Sequence, residues 1–254
     1  MNRPFVQFGA WHLAAIALTF LVPLFFAALA RAHTSPRIAL AIRFAFAAEL
    51  IATWILWYWL IATRGWISAQ TVLPMQLCDW AAMAALVTLI RPNRRSYELA
   101  YFWGFTGTFQ ALLTPELFFD FPDLRFVVFF AFHGGAIASV VYLTVGLGMR
   151  PRPSSLPRVF AWSFVYLLSA LAVNRLFHTN FGYLGSKPAK PSLLDLMGPW
   201  PLYIAELAGV GVILVLLLYF PFLLADILHK CGQKPLPGTQ RSGKKTLPFP
   251  ERHC

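Results

Sequence analysis

"LRFVVFFAFHGGAIASVVYLTVGLGM", residues 124–149, carries one arginine, one histidine and no acid. A helix needs about 20 apolar residues to cross a hydrocarbon core of about 30 Å, and this stretch exceeds that length. Comparable runs recur at 9–31, 38–62, 72–91, 97–114, 157–178 and 200–228. The chain is 58% hydrophobic and 12% charged, whereas soluble domains carry about 25% charged residues. In lipid the backbone must satisfy its own hydrogen bonds, so such runs read as helices. The sequence therefore predicts an all-α, polytopic membrane protein: a seven-transmembrane-helix bundle over 1–229 and a basic, disordered tail over 230–254.

The first run is too long for the apolar region of a signal peptide and reads as helix one, despite the small residues of "AALARA" at 27–32. Net charge is +11, but the basic residues cluster in loops, which makes nucleic acid an unneeded partner. Fifteen lysines and arginines fall on one side of the bundle and five on the other, with Arg175 inside a span. The positive-inside rule then places the N-terminus outside and the C-terminus in the cytoplasm. The chain is expected to be an integral membrane protein. Cys78, Cys231 and Cys254 show neither metal-ligand spacing nor a disulfide framework, and no cofactor or metal is expected.

Ionisable groups inside a bilayer are costly and usually line an interior. Counted from the outer ends of their helices, Cys78 and Glu206 lie about 9 Å deep and His133 about 13 Å deep. Asn174 and Arg175 fall about 5 Å from the same surface. Gln110, Thr114 and His12 share that outer half, and Glu49 lies nearer the middle, apart from the cluster. At least five helices thus supply polar groups to one depth, which reads as a pocket.

A thiol and an imidazole at one depth suggest nucleophilic chemistry. Pro74 suits the first turn of a helix and would put Cys78 near the positive end of its dipole. Gly134 and Gly135 permit close helix approach. Either Asp79 or Glu206 would orient the imidazole. Gln110, Thr114, Asn174 or backbone amides would stabilise an oxyanion, and Arg175 is a candidate substrate-binding cation. The duller roles are packing for Cys78, a satisfied hydrogen-bonding role for His133, and ion pairs for Asp79, Glu206 and Arg175. Trp54, Trp57, Trp59, Trp66, Trp103 and Trp200 read as interfacial anchors or packing, and Gly209 and Gly211 as helix contacts. "SLLD" at 192–195 reads as a capping box opening a short interfacial helix in the long outer loop, which is either a lid or a plain connector.

Four motifs stand together in order: "LPMQLCDW" at 73–80, "TFQALLTPEL" at 108–117, "FPDLRFVVFFAFHGG" at 121–135 and "NFGYLGSKPAKPSLLDLMGPWPLY" at 180–203. The set resembles the YwaF-type bacterial integral membrane proteins, a family related to a vertebrate transmembrane acyltransferase that makes polyunsaturated ether phospholipids. More distantly it resembles membrane hydrolases of fatty-acid esters of hydroxy fatty acids. The resemblance implies Cys78 and His133 as a catalytic pair. Gln76 departs from the histidine common at that place in the bacterial proteins. Together these readings give a lipid acyltransferase or lipid-ester hydrolase working through an acyl-thioester on a membrane phospholipid or lysophospholipid. The rivals are a small-molecule transporter or receptor-like seven-helix protein, a non-enzymatic scaffold, and a metal hydrolase built on His12, His133, Asp79 and Glu206. No HxxxH or HExxH pair supports the metal hydrolase.

Overall fold

The computed structural model describes residues 3–33, 35–188 and 192–232. The described chain is helical throughout, with a lone antiparallel bridge between Pro4 and Phe119. Six helical stretches are long and apolar enough to cross a membrane: Ala10–Ala32, Pro36–Arg64, Ala69–Ile90, Leu124–Gly146, Ser155–Phe177 and Leu202–Leu228. The protein is an integral membrane protein. Most of the expected tail, 233–254, lies outside the described residues.

The helices begin and end where local chemistry dictates. Helix α1 spans Ala10–Ala32. Helix α2, Pro36–Arg64, starts on a proline and stops at Gly65, which takes the left-handed conformation at φ 67°. The expected helix at 72–91 is divided. Ser68 and Thr71 cap a single turn, α3 (Ala69–Val72). Leu73, preceding Pro74, is extended, as a residue before proline prefers, and this ends the turn. Helix α4 then starts afresh at Leu77 and runs to Ile90. Pro74 therefore lies ahead of the helix rather than in its first turn, and Cys78 becomes the second helical residue.

The segment expected at 97–114 is an unbroken helical run of three parts: α5 (Arg94–Trp103), a π-helical turn (Gly104–Thr108) and α6 (Phe109–Leu113). Asn93 caps it by accepting from the Ser96 N–H at 3.0 Å. Helix α7 (Leu124–Val141) likewise passes into a π turn, Tyr142–Gly146. Helix α8 covers Ser155–Phe177, and α9 covers Leu202–Gly232. Between them Ser192 and Asp195 form the expected capping box, on a single 3₁₀ turn, Leu193–Leu196.

Helix α7 is the centre of the bundle. Of its most apolar stretch 67% is buried, against 11% for that of α9, which presents most of its surface outward. Its packing against α1 and α2 depends on two adjacent glycines. A Cβ on Gly134 would stand 2.7 Å from Thr19 Oγ1, and one on Gly135 would stand 2.2 Å from Glu49 Oε2. The expected close approach at these glycines is present. Gly209 and Gly211 have nothing within 4 Å of such a Cβ and are not helix contacts.

The two ends of the bundle differ. At one end the loops tie to each other: Phe5 N–H donates to the Phe118 carbonyl at 3.0 Å, and Asn180 N–H donates to Gln70 Oε1 at 2.7 Å. The other end is rich in arginine. There Arg158 makes a forked pair with Glu98 at 2.8–3.0 Å, and Arg150 pairs with Asp226. Glu98 is 1% exposed and forms a buried ion pair that the depth comparison missed.

Candidate functional site

A cavity of about 220 Å³ opens at the loop-rich end, among α2, α3, α4, α7 and the 114–117 loop. Cys78 and His133 both line it, together with Asp79 and Gln76. Its wall on α7 consists of Arg125, Val128, Phe129, Phe132 and His133. That spacing of i, i+3, i+4, i+7 and i+8 is one face of a helix. Opposite stand Trp54, Trp57 and Tyr58 of α2, and Leu73 and Pro74 of the break. Tyr58, Gln70, Pro74 and Glu116, all lining residues, are exposed, so the cavity reaches the surface.

The α4 side is built by the helix start. Asp79 Oδ2 accepts from the Gln76 N–H at 2.9 Å, pinning the first turn. Gln76 Oε1 in turn accepts from the Gly182 N–H at 3.2 Å and ties that turn to the 180–186 loop. Gly107, in the π turn, admits Leu77: a Cβ there would stand 2.9 Å from Leu77 Cδ2. The backbone N–H groups of Leu77 and Cys78 belong to the first turn and have no intrahelical acceptor.

His133 is fixed in both rotation and tautomer. Its Nδ1 lies 2.9 Å from the Phe129 carbonyl. A carbonyl only accepts, so Nδ1 carries the proton and Nε2 is the basic nitrogen. The ring stacks on Phe129 at 4.2 Å and meets Phe132 edge-on at 5.2 Å. Nε2 has no protein partner among the described residues.

The remaining sequence candidates stand elsewhere. Gln110 and Thr114 do not line the cavity, and the Thr114 hydroxyl donates to the Gln110 carbonyl at 3.1 Å. Asn174 organises the loop through Phe181 and Thr179. Glu206 accepts from the Gly198 N–H at 2.8 Å and does not line the cavity, so of the two expected carboxylates Asp79 is the one that shares it with the imidazole. Arg175 is exposed in the last turn of α8, outside the cavity. His12 has both ring nitrogens engaged, accepting from the Phe8 N–H and donating to the Leu112 carbonyl. Among the described residues no three His, Cys, Asp or Glu side chains gather closely enough to hold a metal.

Sequence reading missed Arg125, Glu116, Gln70 and Thr71, which give the mouth of the cavity its polar groups. Arg125 was legible: it is the outermost member of the face that carries His133. Trp54 and Trp57, expected as anchors or packing, line the cavity, and Trp66 carries the Arg125 guanidinium over its ring at 4.8 Å. Tyr183, just outside the spans, faces Glu116. Burial and that negative charge push its hydroxyl above the ordinary tyrosine range.

Fold and cavity together define a helical membrane protein with a pocket, apolar along its walls and polar at its mouth, sunk into one end of the bundle. The chain belongs to the TMEM164 family, whose model matches residues 7–219. No curated protein and no solved structure matches it.

Proposed function

We propose that this TMEM164-family protein is a lipid acyltransferase or lipid-ester hydrolase, with Cys78 as nucleophile and His133 as base. The observation that carries the reading is that both residues line one cavity while His133 presents Nε2 as its basic nitrogen. The resemblance to the YwaF-type proteins and their acyltransferase relative supports the same pair. We further infer seven passes, counting the run from Arg94 to Leu113, with the N-terminus outside, the cavity facing the outer leaflet, and a bacterial cytoplasmic membrane as the site of action.

His133 Nε2 takes the Cys78 proton, and the thiolate attacks the ester carbonyl carbon of a membrane phospholipid. The tetrahedral oxyanion would lie near the N-terminus of α4, whose dipole favours negative charge. The ester C–O bond breaks, and the departing alkoxide takes the proton from the imidazolium. A lysolipid hydroxyl or water then gives its proton to Nε2 and attacks the thioester, which releases the thiolate, and the imidazolium returns the proton to it. Asp79 faces the same cavity and would stabilise the imidazolium.

The test is intact-protein mass spectrometry after incubation with phospholipid vesicles. An acyl adduct on the protein, absent in Cys78→Ala and strongly reduced in His133→Ala, is the expected result. Lipid turnover undiminished in Cys78→Ala would remove the Cys78 scheme, whereas neither adduct nor turnover with the unaltered protein would leave the transporter or receptor alternative.

A further inference from the structure

We infer that Arg125 is the anchor for the phosphate of an amphiphile whose acyl end lies along α7 toward His133. Arg125 is the second residue of α7, half-buried and part of the cavity lining. Among the described residues it makes no ion pair; its one fixed contact is the Trp66 ring. That ring holds the guanidinium plane and uses none of its N–H donors, which remain available to an anion. A partly buried guanidinium with no direct ionic partner gains charge-assisted hydrogen bonds when an anionic ligand binds.

Glu116 and Asp79, the acids that line the cavity, make no ion pair with the Arg125 guanidinium. The Asp123 carboxylate accepts from the Arg125 backbone N–H at 2.9 Å. Glu116 lines the same mouth, faces Tyr183, and lies beyond ion-pairing distance of Arg125. A guanidinium fork matches two phosphate oxygens in geometry, and Gln70 and Thr71 border the same space.

The wall below the arginine decides between a free anion and an amphiphile. Between Arg125 and His133 the lining face of α7 offers only Val128, Phe129 and Phe132, with Trp54 across the cavity. Arg125 and His133 are eight residues apart, about 12 Å along the axis. Inorganic phosphate would fill the mouth and leave this apolar wall uncovered; a phosphate joined to an acylglycerol covers both. A cavity of 220 Å³ is below the roughly 300–1,000 Å³ of sites that engulf a whole drug-sized ligand. It therefore takes the head and the first part of a chain, and the rest stays in lipid. This assignment deepens the proposed function by locating the head group, yet its binding claim stands without any chemistry at Cys78.

The experiment uses full-length protein carrying Cys78→Ala, so that no probe is consumed, and reads binding by native mass spectrometry. The probes are a lysophosphatidylglycerol, the monoacylglycerol with the same chain, and inorganic phosphate as competitor. The phospholipid should bind at least about tenfold more tightly than the monoacylglycerol, the size of one lost charge-assisted contact. In Arg125→Gln that preference should vanish while monoacylglycerol binding is unchanged; Arg125→Lys, which keeps the charge, should retain part of it. Millimolar inorganic phosphate should not displace the lysolipid. A preference that survives Arg125→Gln, or both ligands weakened alike in the glutamine and lysine variants, overturns the anchor. Full displacement by phosphate overturns the amphiphile and leaves a site for the free ion.

Discussion

The Glu49 carboxylate of α2 lies against the bare Cα of Gly135 on α7, so close that a Cβ there would stand 2.2 Å from Oε2 and 2.7 Å from Oε1. Oε1 is already engaged by the Thr53 hydroxyl at 3.1 Å, and Oε2 is buried without a partner. Turning the carboxylate away would break the bond it has. Gly135→Ala should therefore push α2 and α7 apart at a cost of about 1–3 kcal/mol, the range for overpacking. In a Glu49→Ala background the added methyl meets open space and the cost should disappear. Thermal unfolding of the four proteins in detergent gives the coupling directly. Equal costs of Gly135→Ala in both backgrounds would show that the contact does not set the helix spacing.

Glu98 and Arg158 should behave unequally when either is removed. The carboxylate is 1% exposed, whereas the arginine side chain is 37% exposed. Arg158→Ala strands a charge in the protein interior, and loss of one partner of a buried pair costs about 3–5 kcal/mol. Glu98→Gln leaves a cation that can turn toward the basic end and water, so its cost should be clearly smaller. The double variant should be more stable than Arg158→Ala alone. Melting temperatures in one detergent check all three, and a double variant as unstable as Arg158→Ala would contradict the stranded-charge account.

The helices were legible because apolar length is a sequence property, and the spans at 9–31, 38–62 and 157–178 differ from the observed helices by a few residues. The division at Leu73–Gln76 was not read, although Pro74 supplied the signal, because the hydrophobic run continues across it. The depth comparison brought Cys78 and His133 to one level, and they line one cavity. It failed for Glu206, Asn174 and Arg175, because depth says nothing about direction around a helix axis. Asn174 and Glu206 spend their side chains on loop backbone, and Arg175 points outward. Glu116 comes from a loop and Gln70 from the single turn α3, whose positions depend on tertiary contacts such as Asn180 to Gln70, and no periodicity encodes those.

If His133 is the base, the reactivity of Cys78 should depend on its Nε2 rather than on its ring. Asparagine at 133 would keep a donor for the Phe129 carbonyl but supply no base. Both His133→Ala and His133→Asn should slow alkylation of Cys78 by a small neutral reagent, by about 10²-fold or more. Cys78 is a free thiol, and the assay is run in a background lacking Cys231 and Cys254, with modification sites mapped by peptide mass spectrometry. A normal rate in His133→Asn with a slow one in His133→Ala would mark the imidazole as a structural tie within α7 and nothing more.

Asn174 governs the loop that borders the cavity, although it does not line it. Its Nδ2 donates to the Phe181 carbonyl at 3.0 Å, and its Oδ1 accepts from the Phe181 N–H at 2.7 Å and the Thr179 hydroxyl at 2.9 Å. Phe181 is fully buried, so its backbone groups have no water to turn to when the amide is removed. The next residue, Gly182, donates to Gln76 at the start of α4. Loosening 179–186 would thus loosen the turn that positions Cys78. Asn174→Ala should cost about 1–3 kcal/mol per stranded buried group and raise the rate of Cys78 alkylation as the first turn frays. Asn174→Asp keeps both acceptor contacts but sets a carboxylate oxygen against the Phe181 carbonyl, so it should fall between wild type and alanine in stability. Limited proteolysis within 179–186 should follow the same order. An alanine variant with unchanged cleavage and unchanged Cys78 reactivity would separate the loop from the site.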